Sequence, residues 1–162
     1  MVYIIAGATG VVGSAISKEL AKENEVHLIG RDEEKLSALS KEIDAQYSLI
    51  DLTKTIEQRE FSKIIPDDKE IKGLVNCIGS ILIKPLHGTK TEEFEEVLRV
   101  NLFSSYYLLS SFARRMKNGS AIFFSSVAGT KGLSNHEAIA AAKAGLDCLL
   151  YTSPSPRDVS LS

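Results

Sequence analysis

A doubly wound α/β domain with a parallel sheet is the fold class that the sequence predicts, on three observations. Short apolar runs alternate with segments of helical period, four such repeats in the same direction. The first of these junctions carries Gly7, Gly10 and Gly13 at intervals of three. Later runs end in Gly30-Arg31, Asp51-Leu52, Asn76-Cys77 and Ser125-Ser126, small or polar pairs that a parallel sheet would gather along one edge.

Val2 to Ala6 reads as the first strand, and Val12, Ile16 and Leu20 recur every four positions behind it, so the stretch between is a tight turn into a helix. Glycine in that turn can adopt positive φ and lets a diphosphate approach the backbone. The helix beginning near Val11 directs unpaired N–H groups at the same place. Gly7, Thr9, Gly10, Val11, Val12 and Gly13 are therefore candidate dinucleotide contacts, although glycine-rich turns also close plain strand-helix junctions.

Glu25 to Gly30 reads as the second strand and ends at Arg31, while Asp32 followed by Glu33 and Glu34 reads as the N-cap of a helix running to about Ile43. The tip of this strand meets the adenosine ribose in a nucleotide-binding unit. An acid there would accept from a 2′-hydroxyl, and an arginine would pair a 2′-phosphate. With Arg31 and no acid, the expected cofactor is NADP(H) in preference to NAD(H).

Gln46 to Ile50 is the expected third strand, closing on Asp51-Leu52. Asp51 is read two ways, as a contact to the adenine amino group or as the cap of a helix starting near Thr53. Ile71 to Cys77 gives the fourth strand, and Ser80 to Lys90, with Pro85 and Gly88, is irregular enough to lie over the site. Thr91 to Lys117 is expected as one long helix with room for a bend, with Phe94, Val97, Leu98, Leu102, Ser105, Leu109 and Phe112 on one face. Asn101 shares that face and needs a hydrogen-bonding partner there, catalytic or merely a backbone carbonyl. Ala121 to Phe124 is the fifth strand, and the helix after it carries Lys143. The elements predict a Rossmann-type sheet of about five strands, cut short on its C-terminal side.

Composition narrows the class. The chain of 162 residues is 44% hydrophobic and 25% charged with a formal net charge of -2, which suits one globular domain and offers no basic field to nucleic acid. Without a long apolar run or a leader-like N-terminus, a cytoplasmic location and no membrane partner are expected. Cys77 and Cys148 have no His or Cys at ligand spacing, so neither a metal site nor a disulfide is expected.

From Met1 to Asp147 the motifs in their order resemble the short-chain dehydrogenase/reductase family. The glycine spacing is similar to that of its extended and atypical members, Gly30-Arg31 to its NADP-preferring form, and Asp51-Leu52 to its adenine contact. Asn76-Cys77-Ile78-Gly79 resembles a variant of its Asn-Asn-Ala-Gly motif, adding Asn76 and Gly79 to the expected cofactor contacts. The resemblance implies catalytic roles for Asn101, Ser126 and Lys143, the last also gripping the nicotinamide ribose. It implies hydride transfer to or from a small carbonyl or alcohol, and a possible homo-oligomer through the Thr91 to Lys117 helix. The family's proton donor is a tyrosine four residues before the lysine; here that residue is Ile139. His136 is a chemically suitable stand-in, and direct donation by Lys143 is another. Two alternatives follow from Ile139: a non-catalytic NADP(H)-binding module, and an isomerase or dehydratase on the same scaffold.

From Cys148 the sequence Cys-Leu-Leu-Tyr-Thr-Ser-Pro-Ser-Pro-Arg-Asp departs from a helix pattern at two prolines and resembles the translation of a sequencing-library adapter. The expected domain is therefore residues 1–147, incomplete, with residues 148–162 an artefactual or disordered tail, and the truncated chain itself is expected to be inactive. Apolar surface is expected to stand uncovered beside the last strand.

Overall fold

The computed structural model describes residues 1–152. Its core is a five-stranded parallel sheet of order β3-β2-β1-β4-β5. The strands are β1 (Val2–Ala6), β2 (Glu25–Gly30), β3 (Gln46–Leu49), β4 (Ile71–Asn76) and β5 (Ser120–Phe123). Register runs without slip from Tyr3↔Val26 to Ala6↔Ile29 on one side of β1, and from Tyr3↔Gly73 to Ala6↔Asn76 on the other. The chain order of the strands reverses at β1. Their C-terminal ends thus leave a crevice between the loops after β1 and β4, as such sheets do.

Helices α1 (Val11–Leu20) and α2 (Glu33–Ile43) cover one face, and α3 (Gln58–Ser62) and α5 (Ser104–Phe112) cover the other. Ile5, Leu28 and Leu36 are fully enclosed on the first face; Ile4, Leu74, Leu108 and Phe112 are enclosed on the second. Each such side chain contributes roughly 1.5–3 kcal/mol, against about 0–1 kcal/mol for exposed ion pairs such as Lys22–Glu19 and Lys63–Glu60. Burial in these two layers decides the fold.

Local chemistry sets the helix ends. The Asp32 carboxylate accepts from the Lys35 N–H at 3.1 Å, as an N-cap should, and Asp44 closes α2 in the left-handed region at φ 51°. The Glu93 carboxylate accepts from the Lys90 N–H at 2.8 Å and fixes the start of α4 (Thr91–Leu98). α6 (Glu137–Thr152) packs on α4 through a third apolar cluster of Val97, Ala128, Ala138, Ile139 and Ala142.

Three expectations need correction. The helix expected near Thr53 begins at Gln58; Thr53 instead donates its N–H and hydroxyl to Asp51, at 3.0 and 2.7 Å, in a turn. The helix expected over Thr91 to Lys117 is interrupted by a π-helical segment, Arg99–Phe103, and ends with a 3-10 turn, Ala113–Arg115. The wider turn rotates the buried face onto Val100, Asn101, Ser104 and Leu108, leaving Leu98, Leu102 and Leu109 only half-buried. Finally, α6 continues to Thr152, five residues into the stretch assigned to a tail; residues 153–162 of that stretch lie outside the described residues.

Candidate nucleotide cleft and catalytic edge

The turn after β1 is tied to β2, with the N–H groups of Gly7 and Ala8 donating to the Ile29 carbonyl at 2.9 and 3.2 Å. Its three glycines do different things. Gly7 has φ +72°, and a Cβ there would lie 2.9 Å from the Cys77 backbone. A Cβ on Gly13 would lie 2.2 Å from the Gly7 carbonyl oxygen, so this glycine lets α1 sit down on the turn. Gly10 has an ordinary extended conformation, and its Cβ would meet nothing nearer than 3.4 Å. Gly10 is the N-cap of α1 and offers no side-chain cap, which leaves the first-turn N–H groups open to an incoming anion. Val11 and Val12 are exposed beside it, 92% and 50%.

From this turn a cleft of about 370 Å³ runs along the sheet edge, lined by Gly7, Thr9, Gly10, Arg31, Asp51, Leu52 and Gly79 among others. Those seven were all expected from sequence. Arg31 is exposed and makes no hydrogen bond or ion pair among the described residues. Burial pushes the Asp51 carboxyl upward, but the two Thr53 hydrogen bonds and the charges of Arg31 and Lys54 outweigh it and hold the group below the usual aspartate range. Cys77 also lines the cleft; burial raises its thiol to about 11, so it stays protonated at neutral pH.

Asn76 lies elsewhere. Its side chain is buried under α5, where its amide donates to Ser104 and Ser105 at 3.1 and 2.9 Å and its oxygen accepts from the Ile78 N–H at 3.0 Å. The amide clamps β4 to α5, and the oxygen closes the turn that leaves the strand. Asn101 is similarly engaged: its amide donates to the Ser80 carbonyl at 3.1 Å and the Val97 carbonyl at 3.0 Å, and its oxygen accepts from the Ser80 N–H at 3.3 Å. The side chain thereby fixes the loop that leaves β4. Ser80, Glu96 and Val100 belong to the cleft lining and were missed from sequence. The four-residue spacing of Glu96 and Val100, just before Asn101, was the available signal.

Ser126 and Lys143 are fixed at the end of β5 rather than in the cleft. The Ser126 hydroxyl accepts from the Ala128 N–H at 3.2 Å, and the Lys143 ammonium donates to the Phe124 carbonyl at 2.6 Å. Lys143 is 8% exposed; burial lowers its pKa and the nearby Asp147 charge opposes the shift. Ile139, one turn before it, is 3% exposed within the cluster of Val97, Ala128 and Ala142. His136 sits before α6, its Nδ1 within 2.8 Å of the Ser134 carbonyl.

No helix of the described residues is long and apolar enough to cross a membrane. The family model described as short chain dehydrogenase matches residues 1–153. Among curated proteins, the chain is 30% identical over 149 residues to a 3-oxoacyl-[acyl-carrier-protein] reductase of Rickettsia bellii, covering 88% of this chain and 61% of that protein. It is 29% identical over 159 residues to a tropinone reductase homolog of Arabidopsis thaliana, covering 90% and 60%. The chain thus spans about three fifths of the length of these relatives. Among solved structures, a metagenomic short-chain oxidoreductase in complex with NADP superposes with a TM-score of 0.85 at 32% identity, covering 94% of this chain and 74% of that one.

Proposed function

The chain belongs to the short-chain dehydrogenase/reductase family, and from that premise we propose that it forms the NADP(H)-binding part of an oxidoreductase acting on a carbonyl or alcohol. The observation that carries the reading is one open cleft joining the uncapped turn at Gly10 to the exposed Arg31, which makes no hydrogen bond or ion pair among the described residues. Gly10 and the first turn of α1 suit a diphosphate, Arg31 suits a 2′-phosphate, and Asp51 can accept from an adenine amino group. When bound, the cofactor supplies or accepts the hydride. Lys143 is the buried cation at the catalytic edge, able to hold a ribose hydroxyl, while the Ser126 hydroxyl is free to donate toward a substrate oxygen. Asn101 holds Ser80, which lines the cleft. Ile139 stands where the family's tyrosine would protonate the oxygen, so the proposal draws the proton from Lys143, directly or through water, or from His136.

A second reading, a nucleotide-binding module without hydride transfer, is favoured by one observation: Ile139 fills the proton donor's place with a buried aliphatic group. Titration of NADPH and NADH followed by nicotinamide fluorescence, with a thermal melt of the same sample, tests the cofactor half. Saturable binding that prefers NADPH supports it; a folded protein with no binding removes it. Turnover over a panel of carbonyls then separates the two readings, since tight binding without any NADPH oxidation favours the module.

A further inference from the structure

A second cavity, of about 380 Å³, opens at the other end of the sheet from the glycine turn. Its floor is Val2, His27 and Gln46, near the starts of β1, β2 and β3, and its wall is Ile64, Ile65 and Pro66, from the connection between α3 and β4. α3 ends at Ser62 after only five residues, which leaves the starts of β2 and β3 without a helix over them on this face. The wall is preformed. The Arg115 guanidinium donates to the carbonyls of Ser62, Ile65 and Pro66 at 2.8, 2.9 and 2.6 Å, and the Ile65 side chain is buried in the core. His27 is three residues from Gly30 of the nucleotide cleft, about 10 Å along β2, so the two spaces are separate.

We infer that this cavity is a second binding site, and that it takes a compact, uncharged molecule with an apolar body and one hydroxyl group, such as a phenol. His27 is 8% exposed, and its Nε2 lies 2.9 Å from the Ser48 hydroxyl. Its Nδ1 has no partner among the described residues and is not closed off from solvent. One hydrogen bond of a buried imidazole is thus left for whatever occupies the cavity. Burial keeps the ring neutral at physiological pH, so Nδ1 presents either an N–H or a lone pair, and a hydroxyl can answer both. The exposed Gln46 carboxamide, without a hydrogen bond among the described residues, offers a second polar contact.

Charged molecules are disfavoured. Lys69 and Glu25, the charged residues of the lining, are paired with each other at 2.7 Å, so an ionic group would have to break that pair or enter uncompensated. Asp68 acts on Lys69 and adds a negative charge against anions. Water would satisfy Nδ1 but leave Val2, Ile64 and Ile65 facing it, whereas an apolar ring covers them.

The test is titration of phenol and of toluene into the 162-residue protein, followed by amide NMR, with benzoate and benzylammonium as charged controls. Phenol should shift the resonances of Val2, His27 and Lys69 along one saturation curve and leave Gly10 and Arg31 unmoved. Toluene, without the hydroxyl, should bind roughly threefold to tenfold more weakly. His27→Phe, folded by its thermal melt, should bind the two alike. No saturable shift, or shifts centred on Gly10 and Arg31, overturns the site. Benzoate or benzylammonium binding as tightly as phenol overturns the ligand class, and a phenol preference kept in His27→Phe overturns the role of the imidazole. Should that variant not fold, the shift map and the phenol-to-toluene ratio of the unaltered chain decide.

Discussion

At the scale of single residues, the proposed cofactor preference is tested at Arg31 and the proposed proton transfer at position 139, where isoleucine stands. Hydrogen bonds to charged groups contribute roughly 1.5–3 kcal/mol. Arg31→Ala should therefore weaken NADPH binding about tenfold or more and leave NADH nearly unchanged; equal losses in parallel fluorescence titrations would show that the guanidinium reads no 2′-phosphate. Ile139→Tyr places a phenol one turn before Lys143 but adds bulk to a closed apolar cluster, at a cost of about 1–3 kcal/mol. A lower melting temperature together with ketone-dependent NADPH oxidation is the expected pair of results. A folded variant with no gain in turnover would mean that the missing phenol is not what limits the site. The placement of Arg31 at the tip of β2 and the Gly7 turn were legible in the sequence because both depend on neighbours a few positions away. The occupation of Asn76 was not, since its partners Ser104 and Ser105 lie 28 and 29 residues further on.

At the scale of elements, the glycine turn separates packing from binding. Gly13→Ala forces a Cβ against the Gly7 carbonyl oxygen and should destabilise the fold by several kcal/mol, read as a lower urea midpoint. Gly10→Ala meets no such contact, so it should fold normally while losing dinucleotide affinity. If both variants melt like the parent and bind alike, the turn is only a connection. The strand-helix alternation was readable because strand and helix periods differ. The π-helical segment was not, because one extra residue in a turn leaves the apolar pattern almost intact while rotating every side chain after it. The short α3 was misplaced for a related reason: Asp51 caps a turn and a helix with the same hydrogen bond.

At the scale of the whole molecule, acid should act first through His27. Burial lowers its pKa from 6.5 to about 4, with Glu25 opposing, and the ring lies 2.9 Å from the Ser48 hydroxyl. The neutral form is the folded one, so this contribution is complete above about pH 6.5 and is lost as pH falls toward 4. Between about pH 7.5 and 5 the loss should be roughly 2 kcal/mol, seen in the urea midpoint and flattened in His27→Gln. Association is the other property at this scale. β5 pairs only with β4 among the described residues, and Ile122 and Phe124 beside its free edge are 51% and 44% exposed. Concentration-dependent light scattering, reduced in Ile122→Lys, is the expected outcome. The uncovered apolar surface beside the last strand was foreseeable from the strand count; the helix reaching Thr152 was not, because its prolines come only later.

The strand order also grades the protein by amide exchange. β1, at the centre of the sheet, should protect its N–H groups longest, while those of the edge strands β3 and β5 open first. The glycine turn grows from β1, and Ser126 with the Phe124 carbonyl that anchors Lys143 hangs from the end of β5. On the proposed function, grip on a nucleotide would be built on the central strand and chemistry on an edge strand. Partial denaturation should strip turnover from the molecule while leaving a population that still holds its nucleotide.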